Sequence, residues 1–363
     1  MHSTGVASVL PALVNARHGS ADSRASASGD LVRMAPSRQM LVAAMVTRAR
    51  SAIALLSIAL PSLAGAQQVP DSAFLPPVPR PAFAAERGPA LCLDEAHRNF
   101  HTLDNRFLAF GNLARRDGFR VSPSRAPFSR EALGSCHVLV ISNAEGGDGR
   151  WDTYPSPTPS AFTTQEIAAV RAWVEQGNAL LLIADHMPLA GAAAQLAAAL
   201  GVSFTDGFAV KRFASEAGRD SAFATPTLFR DTDGTLAAHP IVRGRDSTER
   251  VTQVRSFTGQ AFRATAKDVA PVMVLPPDFV SLEPRYAWQF SPTTPARPVG
   301  GWLQGATRRL GRGRVAFFGE AAMFSAQLGG PRRNPMGMNA PMAEQNPQFV
   351  LNVLHWLTRV IDP

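Results

Sequence analysis

The sequence predicts an α/β fold: an open, mostly parallel sheet with helices on both faces and a β-rich insertion. Three observations carry that reading. Uninterrupted apolar runs at His137–Ser142, Ala179–Ala184 and Val315–Phe318 read as strands covered on both faces, as in parallel sheets. Stretches with apolar residues at helical spacing separate the runs. Each run stops at a polar residue, where open α/β sheets bind their ligands.

In chain order, Pro89–Leu93 is a short buried strand ending in Asp94-Glu95. Leu103, Phe107, Phe110 and Leu113 share one face of a helix over 103–117, which Gly118 stops. Phe119–Val121 is a second short strand, and His137–Ser142 is a third, ending at Asn143. Thr163 and Glu166 form a capping box for a helix carrying Ile167, Val170 and Val174, closed by Gly177. Ala179–Ala184 then ends in Asp185-His186, followed by an Ala-rich helix (Leu189–Leu200) and a strand (Val202–Phe204). From about 206 to 301, short β-like pieces (Val251–Val254, Val269–Leu275, Tyr286–Phe290) alternate with polar turns and read as an antiparallel insertion. Gly311-Arg312-Gly313 turns tightly into Val315–Phe318, which ends at Gly319-Glu320. The last helix, about 347–360, places Phe349, Val350, Val353, Leu354 and Leu357 on one face.

With 363 residues and 45% hydrophobic content the chain is long enough for a sizeable core. A net charge of +8 invites a nucleic-acid reading, but residues 1–66 supply half of it, six arginines against Asp22 and Asp30. The remainder has no basic run interleaved with aromatics, so no nucleic-acid partner is expected. Residues 1–66 read as an N-terminal extension and secretory signal: Arg48 and Arg50, the apolar run Ala52–Leu63, and Ala64-Gly65-Ala66 as the cleavage site. Such a signal needs no long preamble, which points to Met34, Met40 or Met45 as the true start. The run is too short to span a bilayer, so the mature chain is expected to be exported, periplasmic or secreted, without a transmembrane anchor. Residues 67–88 read as a Pro-rich linker or an arm over the surface, and 89–361 form one α/β domain.

Export permits a disulfide between Cys92 and Cys136. Strand geometry predicts two buried free thiols instead. If the strand ends align at Asp94 and Asn143, Cys136 lies about five residues further from that end, too far at ~3.3 Å per residue.

The candidate site follows from the polar strand ends: Asp94, His186 and Glu320 as catalytic groups, with Glu95, His97, Asn99, His101, Asn143 and Asp185 as ligand contacts. Asp94–His101 packs two carboxylates, two imidazoles and an amide into eight residues, a set suited to acid–base work or polar-ligand capture. A divalent metal is one reading, with His97, His101 and His186 as candidate ligands, although no established metal spacing and no nucleotide motif is present. Asp185-His186 occupies a strand–turn–helix elbow that presents a nucleophile in hydrolases. Neither residue is Ser or Cys, and no relay to Ser142 or Ser325 is evident, which argues against covalent catalysis. Gln327, Asn339 and Asn346 offer amides to the rim, whereas His239, His355 and Met336-Gly337-Met338 read as structural.

At Leu93-Asp-Glu-Ala-His97, Leu181-Leu-Ile-Ala-Asp-His186 and Gly313-Arg-Val-Ala-Phe-Phe-Gly-Glu320, the chain resembles the class I glutamine-amidotransferase-like superfamily. More narrowly it resembles an uncharacterised branch, a domain of unknown function whose first strand ends in an Asp-Glu/Gln-x-His motif. The resemblance covers about 89–360 and implies a flavodoxin-like core. True amidotransferases place a Cys at the elbow and a His-x-Glu dyad further on; this chain has Asp185-His186 and no such dyad, so glutaminase activity does not carry over. A histidine at the elbow is similar to trehalose-utilisation-type members, which points to carbohydrate. The leading expectation is an exported domain binding a small polar molecule, with carbohydrate as the candidate class, at the strand ends. The alternatives are a metal-assisted or acid–base hydrolase using Asp94, His97, His101, His186 and Glu320, and an envelope partner-binding module using the insertion.

Overall fold

Apolar strands buried on both faces need helices above and below, and the chain supplies them. The computed structural model describes residues 68–147, 149, 153–213, 223 and 226–362. The predicted signal at 1–66 and its alternative starts lie outside the described residues. The chain runs β1 (Val69–Pro70), β2 (Ala90–Asp94), α1 (Leu108–Arg116), β3 (Arg120–Ser124), α2 (Arg130–Leu133), β4 (Val138–Ser142), α3 (Thr164–Glu175), β5 (Ala179–Ile183), α4 (Leu189–Ala199) and β6 (Val202–Phe204). The β-rich region holds β7 (Phe208–Lys211), β8 (Thr227–Arg230), α5 (Pro240–Arg243), β9 (Gln253–Ser256), β10 (Phe262–Ala264), β11 (Val269–Val274), β12 (Phe279–Leu282) and β13 (Ala296–Pro298). The chain closes with β14 (Leu303–Leu310), β15 (Gly313–Phe318), β16 (Ala326–Gly329), β17 (Asn334–Gly337) and α6 (Asn346–Leu357).

The main sheet is ordered β3-β2-β4-β5-β15-β14-β10-β6, with β11 also paired to β14. The first five strands are mutually parallel. Taken in chain order they read 2-1-3-4-5, the flavodoxin-like arrangement, whose switch point lies between the first and third strands. Alternation sorts the strand residues into two cores. Leu91, Leu93, Val138, Val140, Leu181 and Ile183 pack with α1 and α6; Cys92, Leu139, Ile141, Leu180 and Leu182 pack beneath α3 and α4. The capping box forms as predicted: Thr163 Oγ1 accepts the Glu166 amide and Glu166 Oε2 accepts the Thr163 amide. The Gly311-Arg312 turn joins β14 to β15 as a tight hairpin.

Two expectations change. Cys92 and Cys136 form a disulfide, their Cα atoms 5.8 Å apart. Register is the reason. Cys92 lies opposite Leu139, not further along, so the offset to Cys136 is three residues. The chain also leaves the strand line before His137, because the Cys136 amide donates to the Leu133 carbonyl at the end of α2. That turn brings Cys136 over the sheet face that carries Cys92.

Second, Tyr286–Phe290 is not a strand; Tyr286 makes one isolated bridge to Pro155, and the segment turns back over His186. Residues 68–88 run as the expected arm. β1 pairs with β16, and Phe74, Val78 and Phe83 pack on the core. The insertion is likewise integrated, since β10 and β11 join the main sheet. Among the described residues no helix is long and apolar enough to cross a membrane.

Candidate functional site

Register builds the site. Ser142 lies opposite Ile183, and Ile183 opposite Phe318, so the ends of β4, β5 and β15 are level. The ladder continues past them: the Asn143 amide donates to Ile183 O and the Ala184 amide to Phe318 O, both at 3.0 Å. Just past these strand ends come Asp185 and Glu320. They line a cavity of about 110 Å³ together with His101, Asn143 and His186. Phe100, Phe257 and Trp288 contribute apolar walls.

Asn143 has φ of 50°, a left-handed conformation that Asn tolerates better than most residues. In it the side chain turns back to accept the Asp185 amide (2.9 Å), while its carbonyl accepts the Phe100 amide (2.9 Å). One residue thus ties the elbow to the loop carrying His101. The His101 ring is stacked on Phe107 (4.4 Å between centroids), with Nδ1 2.8 Å from Ser142 Oγ. Burial and the nearby Arg106 guanidinium push its pKa well below the ordinary value, so the ring is neutral at pH 7. With Nδ1 engaged, Nε2 is the nitrogen left for a ligand. Ser142 is fully buried and serves to orient this ring.

His186 Nδ1 donates to the Met187 carbonyl at 2.8 Å, which places the proton on Nδ1 and leaves Nε2 as the second functional nitrogen. The ring stacks on Phe208 (4.6 Å) and meets Trp288 edge-on (4.7 Å). Glu320 is 1% exposed; its two oxygens accept the Ala322 amide (2.6 Å) and the Met323 amide (2.9 Å). Burial first, and the charge of Asp185 second, raise its pKa well above the usual carboxylate range. The loop after β9 closes over it. A Cβ on Gly259, whose φ is 142°, would lie 2.3 Å from Gly319 O and 2.9 Å from Glu320 Cβ, so only glycine permits this approach.

The predicted residues at the end of β2 are gathered elsewhere. Asp94, Glu95, His97 and Asn99 do not line the cavity. His97 bridges two carboxylates, with Nδ1 2.8 Å from Asp94 Oδ1 and Nε2 2.8 Å from Glu166 Oε1. Burial opposes its charge, but the hydrogen bonds and charges of Asp94 and Glu166 outweigh burial and raise its pKa. Burial also opposes ionisation of Glu166, yet bonds from the Thr163 amide and hydroxyl, His97 and the Phe128 amide hold its pKa at about 2. Asn99 donates to Asp94 (3.0 Å), and Glu95 accepts the Leu103 amide (2.9 Å) and pairs with Arg125 (2.9 Å). His97, His101 and His186 are therefore not brought to one point. Among the described residues no group of three or more His, Cys, Asp or Glu side chains is placed to hold a metal ion.

Sequence reasoning missed the walls. Phe257, Thr258 and Trp288 come from the insertion, Gln68 and Met336 from the small β1-β16-β17 sheet and its flank. None sits at a parallel strand end, so no local signal marks them. Of the predicted rim amides, Gln327 lines the cavity and donates to Ser325 Oγ at 2.7 Å. Asn346 holds the backbone of Arg255, and Asn339 pairs with Asp71. His239 caps α5, and His355 bonds Asp117 at 2.6 Å, both structural as predicted.

No protein-family model and no curated protein matches the chain. Solved structures are similar in fold. The mmIFT52 N-terminal domain is 12% identical, covering 74% of this chain and 97% of its own, with a TM-score of 0.49. A protein assigned as ThuA-like from Bacteroides uniformis is 13% identical, covering 77% and 93%, with a TM-score of 0.41. A Thermoplasma acidophilum protein assigned to GMP synthase is 9% identical, covering 74% and 96%, with a TM-score of 0.35.

Proposed function

We propose that the strand-end cavity is an acid–base active site for a small hydroxylated substrate, with carbohydrate as the favoured class. The observation that carries this is that Asp185 and Glu320 line one cavity just past the level ends of β5 and β15, with Glu320 driven toward its protonated form by burial and by the charge of Asp185. Two carboxyl groups in unequal environments supply an acid and a base at the same pH. Glu320 is the acid. Each of its oxygens accepts one backbone N–H and keeps a second lone-pair position for the proton. Asp185, held by Asn143 through its amide, is the base. In hydrolysis Asp185 takes a proton from water as the water oxygen attacks, and Glu320 gives its proton to the departing oxygen. His101 and His186 offer Nε2 to substrate hydroxyls, and Phe257 and Trp288 cover the apolar face of a ring.

Thiol catalysis is excluded on this chain's own residues. Its only two cysteines are joined to each other, and the elbow carries Asp185-His186. This supports the amidotransferase-like fold without amidotransferase chemistry, in the branch with an Asp-Glu-x-His motif after its first strand. The elbow histidine supports carbohydrate as the substrate class. The disulfide supports export to an oxidising compartment after cleavage near Ala66.

The test is a panel of 4-nitrophenyl glycosides and 4-nitrophenyl acetate with purified protein, beside Asp185→Asn. Release of nitrophenol that the variant abolishes is the expected result. Absence of turnover across the panel, together with no sugar binding by calorimetry, overturns the reading.

A further inference from the structure

We propose that, on the acid–base reading above, the strand-end site removes a small O-acyl group, of about acetyl size, from a hydroxylated ring that stays at the cavity mouth against Trp288. Size selects the substituent over the ring. The cavity measures about 110 Å³, less than the ~150 Å³ of a cavity that admits one benzene molecule. A sugar ring with its hydroxyls is larger than benzene, so the space takes a substituent and not the ring that bears it.

Exposure places the ring. Glu320, Asn143, His101 and Gln327 are buried, Asp185 is half-buried, and Trp288, 38% exposed, reaches solvent more than any other lining side chain. The indole therefore stands at the mouth, edge-on to His186 at 4.7 Å. Its backbone has φ of 65°, a left-handed conformation that is costly for a bulky residue and that gathers at ligand sites. The turn is held on both sides. The Ala287 amide donates to Tyr154 O (2.8 Å), and the Ser156 amide donates to Arg285 O (2.9 Å). A fixed, partly exposed indole offers an apolar platform for the face of a ring.

Charge selects among substituents. Among the described residues that line the cavity none is Lys or Arg. Arg106 and Arg255 lie over the Phe100 and Phe257 rings, at 3.8 and 4.6 Å, outside the lining. A phosphate or sulfate would meet Asp185 without a cation to pair with, whereas an acyl ester is neutral. In the step, Asp185 takes a proton from water as the water oxygen bonds to the acyl carbon. The bond from that carbon to the ring oxygen breaks, and Glu320 protonates the oxygen. The products are a carboxylic acid and a free ring hydroxyl, and the proton on Asp185 passes to Glu320 through water.

The experiment follows acetate release by proton NMR with the full-length protein on D-glucose pentaacetate and ethyl acetate, beside 4-nitrophenyl glycosides. The expected result is acetate from the glucose ester, lost in Asp185→Asn, with the glycosides untouched. Trp288→Ala is expected to raise KM for the glucose ester by about tenfold, the upper range of one aromatic contact, and by less for ethyl acetate. Trp288→Phe keeps a ring in the same contacts and should give a smaller rise, so the placement stays testable if the alanine variant does not fold. Turnover of a glycoside with both esters inert overturns the acyl assignment and leaves the acid–base reading standing. An equal change in KM for the two esters in the Trp288 variants overturns the position of the ring. Turnover of neither esters nor glycosides overturns both readings.

Discussion

Two clusters of acids and imidazoles sit at neighbouring strand ends, and they are built to opposite purposes. At the end of β2, Asp94, His97, Asn99 and Glu166 satisfy one another: both His97 nitrogens face carboxylates, and Asp94 takes the Asn99 amide as well. At the ends of β5 and β15, Asp185 and Glu320 share a cavity, and His101 and His186 each commit one nitrogen inward. The first cluster spends its hydrogen bonds on the fold. The second keeps groups in reserve beside open space. Composition does not separate structure from chemistry; hydrogen-bond satisfaction does.

The comparison breaks most sharply at Asp185. Asp185→Asn is expected to lower turnover by ~10²–10⁴, the range for a general base, with the urea midpoint unchanged. An equal loss in Asp94→Ala would erase the distinction. That variant is instead expected to destabilise by about 3–5 kcal/mol, since it leaves His97 and Asn99 buried without their acceptor. Urea denaturation measures the loss, and turnover per folded molecule should persist.

Glu320 and Glu166 differ in sign with pH. Glu320 holds its proton more tightly folded than unfolded, so the stability it contributes is present below about 4.5 and lost as pH rises through the raised value. The melting temperature of Glu320→Gln should therefore gain on the wild type as pH increases. Glu166 is depressed, so its contribution is present above 4.5 and lost as pH falls toward about 2. Glu166→Gln should lose most at neutral pH and least in acid. Melting curves across pH read both, and parallel behaviour of the two variants would refute the contrast. The smallest effect belongs to Ser142→Ala, which removes the bond orienting His101 at a cost of about 0.5–1.5 kcal/mol. It should raise KM more than it lowers kcat.

Much of this was legible in the residues. The apolar runs marked β4, β5 and β15 because strands buried on two faces admit almost no polar side chain, and their polar ends pointed at Asn143, Asp185, His186 and Glu320. The helix predicted over 103–117 forms at Leu108–Arg116 after a run of turns, and the capping box at Thr163 followed from local bonds. The division of the strand-end residues into two clusters was not legible, since Glu166 reaches His97 across 69 positions. The Cys92–Cys136 bridge escaped for a related reason: a register shift of two residues and a turn at His137 decide it, and neither has a local signature.

The sequence by itself determined the parallel sheet, the order of its elements and the polar crown on its strands, because periodicity and capping act over a few neighbouring residues. Only the tertiary structure decided which crown residues meet, which are already satisfied, and that Phe257, Thr258 and Trp288 wall the cavity. Those outcomes depend on strand register and on contacts between distant segments, where a displacement of one residue carries a side chain to the opposite face.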